Sequence, residues 1–129
     1  MTSKVTTKKE LEKVINSYDY IVFGSDQIWC EKFNGKDPVW YGDFSKRSNV
    51  RFISYAASAG DVSFSKKGHL LMSLMKTKFD KVSVRELELL KYLNNEATLV
   101  LDPTLLVDNG VYKNSFSNPA KCSKYVLVR

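Results

Sequence analysis

The sequence lacks most features that would assign it to a specialised class of proteins. No apolar run approaches the ~20 residues that a membrane-spanning helix needs, and the N-terminal MTSKVTTKKE has no apolar core of the kind found in secretory signals. The two cysteines, Cys30 and Cys122, form no C-x-x-C pair, so we expect free thiols in a reducing compartment. The expected location is therefore the cytoplasm, with peripheral attachment to the inner face of the membrane as an alternative.

Motifs for phosphate loops and metal-dependent catalysis are also absent. The chain contains no G-x-G-x-x-G, no loop ending in G-K-[ST], no H-E-x-x-H and no D-x-D pair. The single histidine, His69, cannot build a zinc site by itself. We therefore expect neither a metal nor a cofactor. The segment AASAG around Ser58 is close to the nucleophile elbow of α/β hydrolases, but the only histidine follows it by just eleven residues, so we do not expect a hydrolase.

The composition is that of one globular domain, or a piece of one. Hydrophobic residues make up 43% and charged residues 26% of the chain. The net charge of +6 would suit nucleic acid, an acidic membrane surface or an anionic substrate. The lysines are scattered and are not interleaved with stacking aromatics, so we expect no nucleic-acid partner.

Helical and strand-like patterns alternate along the chain. Helices are predicted at residues 8–17 and 62–80, through Leu87–Leu93, and briefly after Asp102. Strands are predicted at 19–23, at 51–60 running into a turn, at 81–84, at 98–101 and from 124. Residues 34–49 are predicted to be a long loop. Strands that are nearly continuous apolar runs, separated by helices, predict an α/β, Rossmann-like parallel sheet of at least four strands with helices on both faces.

Polar residues stand where three of these strands end. The ends are Gly24–Gln27, Ser58–Gly60 and Ser83–Glu86. Ligands bind outside the carboxyl ends of strands in open parallel sheets. Thr7–Glu10 and Ser83–Glu86 also read as helix-capping boxes, and the second would place Arg85 in a first helical turn, where its planar fork suits phosphate or carboxylate. The plainer alternative is that Asp26 and Ser83 are ordinary caps and that Arg85 pairs with Glu86 or Glu88.

Four ordered motifs, YDYIVFGSDQIW, ISYAASAG, FDKVSVRE and LVLDPTLLVD, span residues 18–108. Together they resemble the polysaccharide pyruvyl transferase family. The resemblance implies a two-lobed, glycosyltransferase-like (GT-B-type) fold. It also implies an enzyme that transfers the enolpyruvyl group of phosphoenolpyruvate to a sugar of a cell-surface or secreted polysaccharide. It implies that residues 1–122 form a partial N-terminal lobe and that 123–129 begin a second lobe, which would supply a catalytic histidine. We then expect the chain alone to be inactive, and its unpaired surfaces allow a homo-oligomer.

The strand ends, the resemblance and the chemistry of ketal formation together indicate roles for individual residues. Asp26 is the candidate base for the acceptor hydroxyl, and Arg85 is the candidate group that holds the phosphate or carboxylate of the donor. The expected substrate-binding residues are Gly24, Ser25, Gln27, Trp29, Ser58, Gly60, Ser83 and Glu86. The expected partners are phosphoenolpyruvate and a glycan or lipid-linked sugar acceptor.

The sequence leaves two points open. Trp29 either packs beneath the loop that precedes it or stacks on a sugar ring. The same architecture would also suit a nucleotide-sugar glycosyltransferase lobe or a non-catalytic sugar-binding module.

For Arg85→Lys, we expect a loss of activity with little change in stability, since a cleft arginine that faces solvent contributes little to folding.

Overall fold

The computed structural model describes residues 7–108, 110 and 111. Helices and strands alternate, with single-turn 3-10 helices at Pro38–Tyr41 and Pro103–Leu106. The main elements are α1 (Lys8–Ile15), β1 (Tyr20–Phe23), α2 (Glu31–Asn34), β2 (Arg51–Ser54), α3 (Lys66–Lys78), β3 (Ser83–Val84), α4 (Leu87–Tyr92) and β4 (Thr98–Leu99). The strand predicted from residue 124, the boundary predicted at 122 and Cys122 all lie outside the described residues.

The strands are parallel, but they form two short sheets instead of the single sheet expected. β1 pairs with β2 from Tyr20↔Arg51 to Phe23↔Ser54, and β3 pairs with β4. Two isolated parallel bridges, Ile53↔Lys81 and Ala57↔Val84, connect the β2 segment to the β3 segment. The described chain is therefore an α/β structure with the strands adjacent in the order β1, β2, β3, β4.

A bulge explains the break between the two sheets. Between the two bridges, the β2 side contains one more residue than the β3 side, and Ala56 there has a φ of 50°. An extra residue of this kind interrupts the ladder of hydrogen bonds and bends the strand. The backbone N–H of Ala56 donates instead to the Ser83 hydroxyl at 3.2 Å.

The core lies on one side of these strands and is rich in aromatic rings. The ring of Phe23 lies 4.5 Å from that of Phe79 and 5.5 Å from that of Phe52, measured between centroids. Helix α3 contributes the buried side chains of Leu71, Met72 and Met75. Burial of such rings is the main stabilising term here, since Phe→Ala changes in cores cost about 3–5 kcal/mol.

The other side of β1 is open in the described part of the chain. Tyr20 is 66% exposed and Val22 is 58% exposed. Consecutive strand order with right-handed crossovers places the connecting segments on one face of a sheet. Among the described residues, β1 therefore lacks the coverage on both faces that the sequence indicated, whereas both residues of β3 are buried.

The element boundaries follow local capping chemistry. The Thr7 hydroxyl accepts from the backbone N–H of Glu10 at 3.2 Å, and the Glu10 carboxylate accepts from the backbone N–H of Thr7 at 3.1 Å. These two bonds confirm the first capping box. Helix α3 begins at residue 66, later than predicted, because Ser65 caps it through the N–H of Gly68. The predicted loop at 34–49 contains the 3-10 helix Pro38–Tyr41, which Asp37 caps. In the described part, no helix combines the length and apolarity needed to cross a membrane.

Asp80 fixes the start of β2 against the turn that leads into β3. Its carboxylate accepts from Arg51 Nη1 at 2.6 Å, from the backbone N–H of Phe52 at 2.9 Å and from Lys46 Nζ at 3.3 Å. The hydrogen bonds from Arg51 and then from the Phe52 backbone lower the pKa of Asp80 to about 2, against the opposing effect of burial. The pKa of Asp80 is therefore lower in the folded protein than in the unfolded chain. The stabilisation that its ionised carboxylate contributes is complete above about pH 4 and is lost as the pH falls through 2.

We predict that Asp80→Asn lowers the free energy of unfolding at pH 7 by about 1–2 kcal/mol, because charge-assisted bonds to three partners are weakened. The difference from the wild type should shrink as the pH falls from 4 towards 2. Urea denaturation at several pH values measures both effects. The matched control is Asp43→Asn, since the Asp43 side chain forms an exposed ion pair with Lys8 at 3.5 Å. Equal stability of Asp80→Asn and wild type at pH 7 would contradict this role.

Candidate functional site

The loop after β1 and the turn after β2 are in direct contact, as the strand-end interpretation requires. The backbone N–H of Ser58 donates to Asp26 O at 3.1 Å, and the N–H of Trp29 donates to Ser58 O at 3.0 Å. Gly60 has a φ of +74°, and a Cβ atom there would lie 3.0 Å from Gln27 Oε1. Glycine is therefore favoured at position 60 by its left-handed backbone conformation, and any larger residue there would also displace the end of the Gln27 side chain.

The hydroxyls of Ser58 and Ser83 are buried and bonded to the backbone. Ser58 accepts from the N–H of Gly60 at 3.0 Å. Ser83 donates to Ser54 O at 2.9 Å, and Ser54 donates in return to Ser83 O at 3.1 Å. These bonds hold the ends of β2 and β3 side by side. Both residues support the site from beneath, and substrate contact by either stays a prediction.

The capping role predicted for Ser83 is wrong. Ser83 lies in β3, and the N-cap of α4 is Glu86, which makes no side-chain capping bond. Arg85 consequently precedes the helix and does not lie in its first turn. The S-x-x-E pattern is satisfied in sequence, but the Ser83 hydroxyl bonds across to the β2 segment instead.

Arg85 joins three segments at the carboxyl ends of the strands. Its Nη1 donates to Ser25 O at 2.7 Å and also to the Asp102 carboxylate, and its Nε donates to Glu86 Oε1 at 3.3 Å. Burial would lower the pKa of Arg85, but the hydrogen bonds to Asp102 and Glu86 hold that pKa above its usual value. The predicted alternative of a pair with Glu86 is therefore present, and in the part of the chain that the structure describes Nη2 is the nitrogen of Arg85 left without a protein partner.

Asp26 is exposed and caps no helix. Its Oδ1 accepts from the N–H of Gln27 at 2.7 Å, whereas α2 begins five residues later with Cys30 as its N-cap. The alternative of an ordinary helix cap is thus wrong for Asp26. Gly24 is exposed as well, and a Cβ atom there would meet no atom within 4 Å, so no steric reason requires glycine at that position.

Trp29 is buried completely, as the packing alternative predicts. Its side chain has 0% exposure, its indole N–H donates to Trp40 O at 3.0 Å, and its ring meets Phe79 edge-on at 6.2 Å. The exposed aromatic residues near the loop are instead Phe33, at 75%, and Trp40, at 38%. Sequence reasoning did not single out these two, because their exposure depends on how α2 and the 3-10 helix pack.

Two cavities border the strand ends. One, of about 460 Å³, is lined by Asp26, Gln27, Ile28, Phe33, Asn34 and Trp40. The other, of about 280 Å³, is lined by Ala59, Gly60, Asp61, Val62, Glu86, Glu88 and Leu89. Glu86 Oε2 is buried and has no hydrogen-bond partner among the residues that the structure describes. A third cavity, of about 300 Å³, lies at the amino ends of β3 and β4, away from the predicted site.

The charges of the cavities at the strand ends limit what they can bind. Three acidic residues line the smaller one, and within the described ranges Asp26 is the charged residue that lines the larger one. Neither cavity alone is suited to an anion. Among the described residues, no group of three or more histidine, cysteine, aspartate or glutamate side chains could hold a metal ion.

A family model described as polysaccharide pyruvyl transferase matches residues 2–127, which is nearly the whole chain. No curated protein and no solved structure matches the sequence.

The contacts of Arg85 change the stability expected for Arg85→Lys. A lysine amine cannot bridge Ser25 O and Asp102 while also pairing with Glu86. We now predict that Arg85→Lys lowers the free energy of unfolding by about 1–2 kcal/mol, measured by urea denaturation. The matched control is Arg47→Lys, since Arg47 is exposed.

A double-mutant cycle isolates the ion pair itself. Arg85→Gln and Asp102→Asn should each destabilise the protein, and the double variant should be more stable than the sum of the two effects predicts, because each single change already removes the charge of one partner. Strict additivity would show that the guanidinium does not hold Asp102 in solution.

Proposed function

The chain belongs to the polysaccharide pyruvyl transferase family, and on that basis we propose that it takes part in moving a pyruvyl group from phosphoenolpyruvate to a sugar of a cell-surface or secreted polysaccharide. The observation that carries this proposal is the match over residues 2–127. The meeting of the polar strand ends supports it, because parallel sheets bind ligands at that edge.

The proposed reaction requires an acid, a base and a charge-stabilising group. The acid protonates the methylene carbon of phosphoenolpyruvate, a sugar hydroxyl adds to the adjacent carbon and gives its proton to the base, and phosphate leaves with the bonding electrons. A second hydroxyl of the same sugar then adds to this carbon and closes the ketal, and its proton passes to the released phosphate. General acid–base catalysis contributes about 10²–10⁴-fold to such steps, and cations stabilise the departing phosphate.

We assign the base to Asp26. Its carboxylate is exposed at the larger cavity, and the backbone N–H of Gln27 fixes Oδ1 at 2.7 Å. The other oxygen, Oδ2, has no protein partner in the described segments and is therefore available to accept a proton from a sugar hydroxyl. The contact between Ser58 N–H and Asp26 O holds the backbone of this residue in place.

We assign to Arg85 Nη2 a contact with the donor substrate, phosphoenolpyruvate. Other N–H groups of this guanidinium bond to Ser25, Glu86 and Asp102, so the side chain is already oriented before a ligand arrives. Pre-organised donors stabilise charge without reorganisation during the reaction. Because acidic groups line the nearby cavities, further cations and the general acid are expected from the second lobe of a GT-B-type arrangement.

The other expectations from the sequence remain proposals of the same kind. They are a glycan or lipid-linked acceptor, a cytoplasmic location with contact to the inner face of the membrane as the alternative, and self-association into a homo-oligomer.

A substrate screen of the full-length protein tests the function. Phosphate release should require both phosphoenolpyruvate and a sugar acceptor, and the sugar product should gain a pyruvate ketal visible by mass spectrometry. Turnover with nucleotide sugars but not with phosphoenolpyruvate would replace the proposal with glycosyl transfer. Binding of sugars without turnover of either donor would indicate a non-catalytic module.

Within that assay, we predict that Asp26→Asn lowers kcat by about 100-fold or more, because the amide cannot accept the hydroxyl proton. The matched control is Asp43→Asn, a surface position outside the site, which should keep wild-type turnover. Near-normal kcat in Asp26→Asn would remove Asp26 from the reaction.

A further inference from the structure

The cavity beside Asp26 has an unusual composition for a protein surface. Two of its lining residues are Phe33, which is 75% exposed, and Trp40, which is 38% exposed. Ligand sites are typically concave and are lined by aromatic side chains together with a few polar groups. The volume of about 460 Å³ lies within the ~300–1,000 Å³ typical of small-molecule sites.

The walls of this cavity are held in place by hydrogen bonds that do not involve the exposed rings. The side-chain amide of Asn34 donates to Gln27 O at 3.0 Å, which ties the end of α2 to the loop after β1. The indole of the buried Trp29 donates to Trp40 O at 3.0 Å and fixes the 3-10 helix from below. Both aromatic walls are thereby positioned relative to Asp26 before any ligand binds.

Helix α2 is also anchored from its other end. Glu31 Oε1 accepts from the backbone N–H of Ser65 at 3.1 Å and from its hydroxyl at 3.0 Å. Gly68 leaves the space that this carboxylate occupies, since a Cβ atom at position 68 would collide with Glu31 Oε1. The exposed position of Phe33 is therefore built into the packing of α2 against α3.

The chemistry of the cavity matches a neutral sugar and not an anion or a purely apolar ligand. A pyranose ring has an apolar face of C–H groups that packs on aromatic rings and an edge of hydroxyls that donate to carboxylate and amide oxygens. Gln27, Asn34 and Asp26 place such polar groups in the same cavity as the rings. The carboxylate of Asp26 would repel the phosphate and carboxylate of phosphoenolpyruvate, which excludes the donor from this position.

We infer that this cavity is the acceptor subsite, in which a pyranose ring packs against Phe33 and Trp40 and directs a hydroxyl to Asp26. The assignment of the bound sugar as the acceptor rests on the proposed function, whereas the sugar site itself rests on the residues of the cavity.

Binding of simple pyranosides to the full-length protein tests the inference. The probes are methyl β-glucopyranoside, methyl β-galactopyranoside and methyl β-mannopyranoside, followed by saturation-transfer NMR. At least one should bind, and Phe33→Ala should weaken its binding by about tenfold, which corresponds to about 1.4 kcal/mol. Because Phe33 is exposed, its removal should leave the fold intact. The matched control is Leu70→Ala, since Leu70 is 72% exposed on a helix away from the cavity.

Tryptophan fluorescence provides an independent readout. The chain contains two tryptophans, and only Trp40 lines the cavity. The bound pyranoside should therefore change the emission of the wild type but not that of Trp40→Phe, in which the buried Trp29 alone reports. Unchanged binding in Phe33→Ala, an equal emission change in Trp40→Phe, or no binding of any probe at millimolar concentration would overturn the inference.

Kinetics separate this inference from the proposed function. Phe33→Ala should raise the KM for the acceptor by about tenfold while leaving the KM for phosphoenolpyruvate unchanged. Pyruvyl transfer with unaltered acceptor KM in Phe33→Ala would refute the subsite and keep the function. Sugar binding that depends on Phe33 and Trp40 without any turnover of phosphoenolpyruvate would keep the sugar site and refute the function.

Discussion

The guanidinium of Arg85 is the constraint on which the candidate site depends. It joins the backbone of Ser25, 60 residues earlier in the chain, to Asp102, 17 residues later, while also pairing with Glu86. Its side chain is 25% exposed, so these bonds form in a partly desolvated setting where charged hydrogen bonds contribute more than they do at the surface. One side chain thereby fixes the loop after β1 relative to the end of β3 and the start of the final 3-10 helix.

Charge is divided unevenly across the molecule, and this division informs the mechanism. The chain as a whole has a net charge of +6, yet acidic side chains line the cavities at the strand ends. A neutral sugar fits such a surface, whereas a phosphorylated carboxylate requires cations. The proposed arrangement therefore places the acceptor against this chain and leaves most of the donor charge to Arg85 and to groups of the expected second lobe.

Local chemistry was predictable from the sequence, and long-range pairing was not. The capping box at Thr7 and the short helix after Asp102 are both present as predicted, and both depend on capping bonds between residues at most three positions apart. Ser83 shows the limit of that reasoning: its pattern matched a cap, but the hydroxyl bonds to Ser54, 29 residues away. The break in the sheet arises at Ala56, whose left-handed conformation no local signal indicates, since alanine rarely adopts it. In the same way, Trp29 and Trp40 both fall in loops predicted from the sequence, and only their packing makes the first a core residue and the second part of a cavity wall.

The most direct test of the account is to locate phosphoenolpyruvate and a pyranoside on the full-length protein by hydrogen-exchange mass spectrometry. Ligand binding stabilises the segments it contacts against local opening, which slows the exchange of their amides. The account predicts slower exchange in residues 24–34, 57–60 and 83–86, with the effect of the sugar strongest in the first range. Protection confined to residues 75–82 and 93–98, which border the cavity at the amino ends of the strands, would contradict it.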